Sequence, residues 1–259
     1  MATPWGSSKR MKAALLGMAV LLSAPEARAI RPFITDDARV VGARHLQLET
    51  WWRRDKDSLQ HWALFAFGPN DHVELTLGGA YGLSNVVSRN PGVPSPTFAF
   101  NLPLLQGKFL LRDAEPNKLP GLAVAAGIVP PLGRGGFEPP GFSGFAYVAF
   151  TESLFEEERL LLHANVGATV LGAKGHDPLS PTWGVGLQLR TFAAFHLVGE
   201  FFSGDPYASG AGGAAQGGFR YIFNDHVQLD ATVGGGVFGA TPLPFWASSG
   251  VRLVSHELW

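Results

Sequence analysis

The sequence predicts an all-β protein, a closed antiparallel up-and-down transmembrane β-barrel of about twelve strands. Three observations predict it. Apolar residues recur with period two from His45 to Val254. The connections between successive runs mostly alternate between tight and long, with 54–58 short and 113–120 middling as the exceptions. Charge is scarce: 16% of residues are Asp, Glu, Lys or Arg, against about a quarter in a soluble domain, while the 46% apolar content is ordinary. Something other than ions must therefore cover the surface.

The chain opens on a secretory leader over residues 1–29. Lys9, Arg10 and Lys12 form its positive region, Ala13–Leu22 its apolar run, and Ala27-Arg28-Ala29 the small-x-small site that places cleavage near Ala29. Ten helical residues rise only about 15 Å, too little for a hydrocarbon core of roughly 30 Å, so a membrane anchor is not expected. Of 20 basic and 21 acidic residues, four basic and one acidic lie in the leader, which leaves 16 against 20. Residues 30–43 form a segment expected at the periplasmic face or inside the barrel, and 44–259 form the barrel itself. Asp36-Asp37 in that segment lacks the further ligands of a calcium loop, and its expected role is local, accepting backbone N–H groups to set a turn.

Strands are predicted at 44–53, 59–67, 73–81, 103–112, 121–130, 143–152, 159–170, 182–191, 195–203, 213–222, 227–238 and 246–255. In the fourth, Pro103 stands at the start and 97–102 competes for the same place. About ten tilted residues cross the hydrocarbon, and closure removes the unpaired edge that lipid cannot satisfy. The longer connections 82–102 and 131–142, dense in Gly and Pro, are expected at the outer rim. Trp51, Trp52, Trp62, Tyr81, Tyr147, Trp183, Tyr207, Tyr221 and Trp246 fall near strand ends, where an interfacial girdle is expected. Trp259 supplies a terminal aromatic residue, but Glu257 and Ser255 break the apolar alternation before it, so the last strand either ends near Ser255 with a short tail or carries a degenerate signal.

Apolar stripes facing lipid leave the opposite stripes inside. These carry His45, Gln47, Glu49, Arg53, Glu74, His163, Asn165, Gln188, Arg190, His196, Glu200, Arg220, Gln228, Asp230 and Arg252. They either line a polar path or fill the interior as cross-strand pairs. No catalytic residues are expected, since no Ser is tied to a His by a motif, and the eight scattered His show no metal spacing. The absence of Cys excludes disulfides, thiolate metal sites and a thiol nucleophile. A net charge near −1 offers no field for nucleic acid, and no Gly-rich stretch has the Lys-Ser/Thr of a phosphate loop, so no cofactor is expected. Glu156-Glu157-Glu158 reads as a solvated loop tip.

The opening Arg31-Pro32-Phe33-Ile34-Thr35-Asp36-Asp37-Ala38-Arg39, followed by His45-Leu46-Gln47-Leu48-Glu49-Thr50, resembles the outer-membrane barrel family named for the meta-pathway of phenol degradation. Generic barrel stretches such as Val73–Gly79, His163–Ala168, Thr182–Gly186 and Val227–Gly234 extend the likeness. The resemblance implies a barrel in the bacterial outer membrane and passage of hydrophobic or aromatic compounds, and it brings no defined site residues. The expected function is a passive channel or uptake transporter for small solutes. The alternatives are a plugged structural or surface-interaction barrel, and a soluble periplasmic lipocalin-like binder. The expected partners are outer-membrane lipid, the barrel-insertion machinery and a small hydrophobic solute.

Overall fold

The computed structural model describes residues 33–85, 97–155, 158–172, 179–203, 212–239 and 242–259. The leader and Tyr207 lie outside them. Twelve strands form the wall: β1 (Leu46–Asp55), β2 (Ser58–Asn70), β3 (Val73–Ser84), β4 (Thr97–Arg112), β5 (Gly121–Val129), β6 (Ser143–Leu154), β7 (Leu160–Leu171), β8 (Leu179–Phe192), β9 (Phe195–Ser203), β10 (Gly213–Asn224), β11 (Val227–Phe238) and β12 (Trp246–Val254). Each pairs antiparallel with its neighbours in sequence, and β12 closes on β1 from Gln47↔Val254 to Asp55↔Trp246. Among the described residues, the two-residue turns 71–72, 193–194 and 225–226 share one end, the short-turn end, with the longer 113–120, while 130–142 and 239–245 lie at the other, long-loop end with the two-residue turn 56–57.

The wall is inverted relative to a soluble barrel. Leu75, Leu77, Phe109, Val124, Val166, Val185, Leu197, Leu229 and Val233 are exposed on the outside, whereas Lys108, Glu49, Glu74, Gln188, Arg220 and Gln228 are buried within. An apolar outer belt around a polar interior is what a barrel surrounded by lipid requires, and it is the reverse of a lipocalin in water.

β4 runs through Pro103 instead of starting there. The β3 register passes from Gly78↔Leu104 to Ala80↔Asn101, so Pro103 sits in a bulge where its missing N–H breaks no ladder bond. The predicted aromatic girdle divides by strand phase. Trp52, Tyr81, Trp183 and Tyr221 are exposed on the outside, but Trp51 and Trp246 are buried within. Trp62 stacks on Trp51 with ring centres 5.5 Å apart, and Tyr147 reaches the buried Asp36. These four share their strand parity with inward polar residues, so the lumen claims them. The last strand ends at Val254, and Ser255–Trp259 follows as a tail that bonds β1 through Ser255 N–H to Leu46 O and the turn before it through Leu258 N–H to Arg44 O.

Candidate functional site: an occluded lumen

Residues 33–41 lie inside the barrel with no strand or helix of their own. Their backbone donors must therefore be met by the wall, because an unmet buried N–H is costly. Glu200 on β9 accepts from Ile34 N–H and Thr35 N–H, one on each carboxylate oxygen, both at 2.7 Å. Asn165 on β7 accepts from Asp36 N–H at 2.5 Å and donates to Asp36 O at 2.8 Å. Thr151 on β6 accepts from Ala38 N–H at 2.9 Å, and Glu74 on β3 accepts from Val41 N–H at 2.9 Å. The segment descends toward the short-turn end and then reverses into β1 at Gly42, whose φ of 91° suits a residue without Cβ.

Charge holds it as well. Lys108 Nζ on β4 lies 2.9 Å from Asp36 and 3.5 Å from Asp37, with its side chain fully buried. Tyr147 O–H donates to the same Asp36 carboxylate at 2.7 Å. Burial pushes the Asp36 carboxyl up, and Lys108 pulls against it. Asp37 also sets the local turn expected of it, accepting from Arg39 N–H at 3.0 Å. Asp36 does not act locally; it faces the wall. Arg39 forms an ion pair with Glu158 at the short-turn end, so Glu158 is a partly buried partner and not part of a solvated tip. Glu156 and Glu157 lie outside the described residues.

The remaining inward side chains fill the lumen beside the segment. Arg220 donates to Gln188, whose amide lies 3.1 Å from His196 Nδ1. Arg252 donates to Gln47 at 2.7 Å, and Gln47 to Glu49 at 2.9 Å. The Phe33 ring sits between His163, 5.5 Å away, and Arg220, 5.8 Å away. Of the residues assigned inward from sequence, Gln47, Glu49, Glu74, His163, Gln188, His196, Glu200, Arg220, Gln228, Asp230 and Arg252 are buried, and His45, Arg53, Asn165 and Arg190 are half-buried. Glu74, Asn165 and Glu200 grip the segment directly. His163 acts one step back, 3.0 Å from Thr151 Oγ1. His45 stands apart at the short-turn end, with Nδ1 3.0 Å from Ser255 O.

Lys108, Thr151 and Tyr147 were not anticipated. Gln106 and Lys108 alternate with Leu105 and Phe109 inside the predicted span 103–112, and that phase marks Lys108 as inward.

A cavity of about 70 Å³ remains between the segment, β1–β4 and β6, lined by Asp36, Glu49, Glu74, Gln106, Trp51 and Tyr147 among others. Toward the long-loop end the lumen turns aromatic. Arg53 lies 4.5 Å over the Trp246 ring, and Phe202 packs beside Trp246 at 6.4 Å. A second cavity of about 340 Å³ opens there, between Trp62, Asn101, Leu104 and Leu171 on the wall and Phe137–Pro140 of the folded-in connection. Gly133–Arg134 of that connection pairs with Phe100 and Asn101 on β4. Among the described residues, no three His, Asp or Glu side chains come together as a metal site.

The fold is similar to that of an outer membrane channel from Pseudomonas putida F1, with a TM-score of 0.64 at 10% identity over 88% of this chain and all of that one. It is also similar to the KdgM porin solved in complex with disordered oligogalacturonate, with a TM-score of 0.55 at 8% identity over 81% of this chain and 99% of that one. At such identities the likeness establishes the closed barrel alone. No curated protein matches the chain in sequence. None of these matches carries the phenol meta-pathway name that the opening stretch suggests. The family model described as "Uncharacterised conserved protein UCP029691" matches residues 17–253, and the chain belongs to that family.

Proposed function

We propose that this chain is an outer-membrane transport barrel for small solutes with an apolar or aromatic body, shut by residues 33–41 in the conformation described. The observation that carries this reading is how the segment is held. Its backbone donors go to Glu200, Asn165, Thr151 and Glu74, and its charges to Lys108 and Glu158. The segment also buries Ala38, Val40 and Val41, with Ala38 against Ala123 and Ala149, but these are small contacts and water can replace each of the polar bonds. The aromatic upper lumen, with Trp51, Trp62, Trp246 and Phe202, supports the solute class. It also fits the hydrophobic or aromatic passage implied by the resemblance to the phenol meta-pathway family. The leader read over residues 1–29 supports export, and the apolar outer belt supports placement in the outer membrane by the insertion machinery, with lipid as its solvent.

Planar-bilayer conductance and liposome flux of an aromatic solute test this reading, comparing the full mature barrel with a variant lacking residues 33–43. Heat-modifiable gel mobility confirms that both are folded. The expected result is a low signal from the former and a clear increase from the latter. A folded deletion variant that passes nothing would leave the plugged structural barrel as the better reading.

A further inference from the structure

Away from the lumen, two imidazoles meet at the short-turn end. His226, on the turn between β10 and β11, and His256, in the tail after β12, have ring centres 4.0 Å apart at an interplanar angle of 55°. We propose that His226 and His256 form a two-imidazole site for a divalent transition-metal ion of the imidazole-preferring class, Zn²⁺, Ni²⁺ or Cu²⁺, which staples the C-terminal tail to the β10–β11 turn.

The hydrogen bonding of His226 sets up the ligand. Its Nδ1 lies 2.9 Å from Val254 O, and a carbonyl only accepts, so Nδ1 carries the proton and the neutral ring presents its Nε2 lone pair. Metal-bound histidines are oriented in the same way, by donating the other ring N–H to a carbonyl or carboxylate. The ring is also placed by its backbone: His226 N–H donates to Asn224 Oδ1 at 2.9 Å, and His226 O accepts from Val254 N–H at 2.9 Å. Among the described residues none hydrogen-bonds the His256 ring, which is exposed, so its nitrogens are available to a ligand.

Two imidazoles on one tetrahedral ion, each with a metal–nitrogen distance near 2.0 Å, place their ring centres about 5 Å apart. The observed 4.0 Å is therefore close to ligation and asks for an opening of about 1 Å. His256 lies two residues beyond the last strand residue and can supply that movement. Water fills the remaining positions, and Asp225 on the same turn is the carboxylate next in sequence to the site. The site stands outside the apolar belt and independently of transport. Its ion would reinforce the seam that Ser255 and Leu258 already make with β1 and the turn before it.

The experiment uses tag-free, detergent-folded mature protein titrated with Cu²⁺ and read by electron paramagnetic resonance. One equivalent is expected to bind at micromolar concentration with nitrogen hyperfine structure. His226→Gln and His256→Gln are each expected to weaken binding at least tenfold, while His72→Gln on another short turn leaves it unchanged. A second arm needs no variant: Zn²⁺ should protect His226 and His256 together from carbethoxylation, read by mass spectrometry, and leave His72 reactive. Equal Cu²⁺ affinity in wild type and both variants, or Zn²⁺ protection of His226 and His256 no greater than that of His72, would overturn the proposal.

Discussion

Glu200→Ala is the most direct perturbation of the shut lumen. The carboxylate holds Ile34 N–H and Thr35 N–H at 2.7 Å each, and Gln216 Nε2 also donates to it, at 2.5 Å. Hydrogen bonds to a charged group contribute about 1.5–3 kcal/mol each, so the two backbone bonds together hold the segment by roughly 3–6 kcal/mol. Water entering the vacated space recovers part of this, which favours the low end. About 3 kcal/mol corresponds to a shift of roughly a hundredfold in the docking equilibrium. Hydrogen exchange of the 33–43 peptide, read by mass spectrometry in a bilayer mimic, measures that shift directly. Exchange in this peptide should accelerate by about two orders of magnitude while the β8 and β9 ladders keep their protection. Glu200→Gln retains one acceptor oxygen and should fall between. Unchanged exchange in Glu200→Ala would refute the claim that wall-to-backbone bonds hold the segment.

Three further perturbations follow from the same geometry. Lys108→Met removes the ammonium facing Asp36 and Asp37 and should destabilise docking by about 3–5 kcal/mol, with partial recovery when Asp36→Asn is added; segment exchange in the single and double variants checks it. Gly184→Val breaks no hydrogen bond, but any side chain there overlaps the Thr35 hydroxyl, so it should expel the segment while β8 stays paired, again read by exchange. Val185→Arg, one residue on and exposed near the middle of β8, places a charge in the belt and should lower folding stability in bilayers by about 2–4 kcal/mol in a urea titration; no loss would place that face outside lipid.

The period-two pattern alone was enough to locate the wall. β11 spans 227–238 as the alternation requires, and β7 lies one residue from its expected span. Strand phase is a local property, written in neighbouring residues, and it also sorts Trp51 inward from Trp52 outward. At β4 the bulge at Pro103 shifts the phase of 97–102 relative to 104–112 and so hides the first half of the strand, whereas Lys108 lies in the regular half. The docking of the segment was not legible for a different reason. Glu200 and Thr35 are 165 positions apart, and only the closed ring of strands brings them together. Asp36-Asp37 shows both cases within two residues. Asp37 makes the turn that its sequence implies, and Asp36 meets a lysine that only the barrel supplies.

The charges themselves link opening to hydration. Lipid bars ions from the outer face, so strand charges turn inward, where each needs a partner or water. The ion partners of Lys108, Asp36 and Asp37, lie on the segment, as do two of the donors to Glu200. Withdrawing the segment without admitting water would leave the buried Lys108 ammonium on β4 with only Glu74, among the described residues of the wall, as a nearby carboxylate, and would under-satisfy Glu200 on β9. On the proposed reading, displacement of the segment and wetting of the lumen are then coupled, because water must take over the bonds that the segment gives up. Conductance should then appear in the same variants that lose segment protection and rise in proportion to it. A variant that releases the segment yet stays silent would break that link.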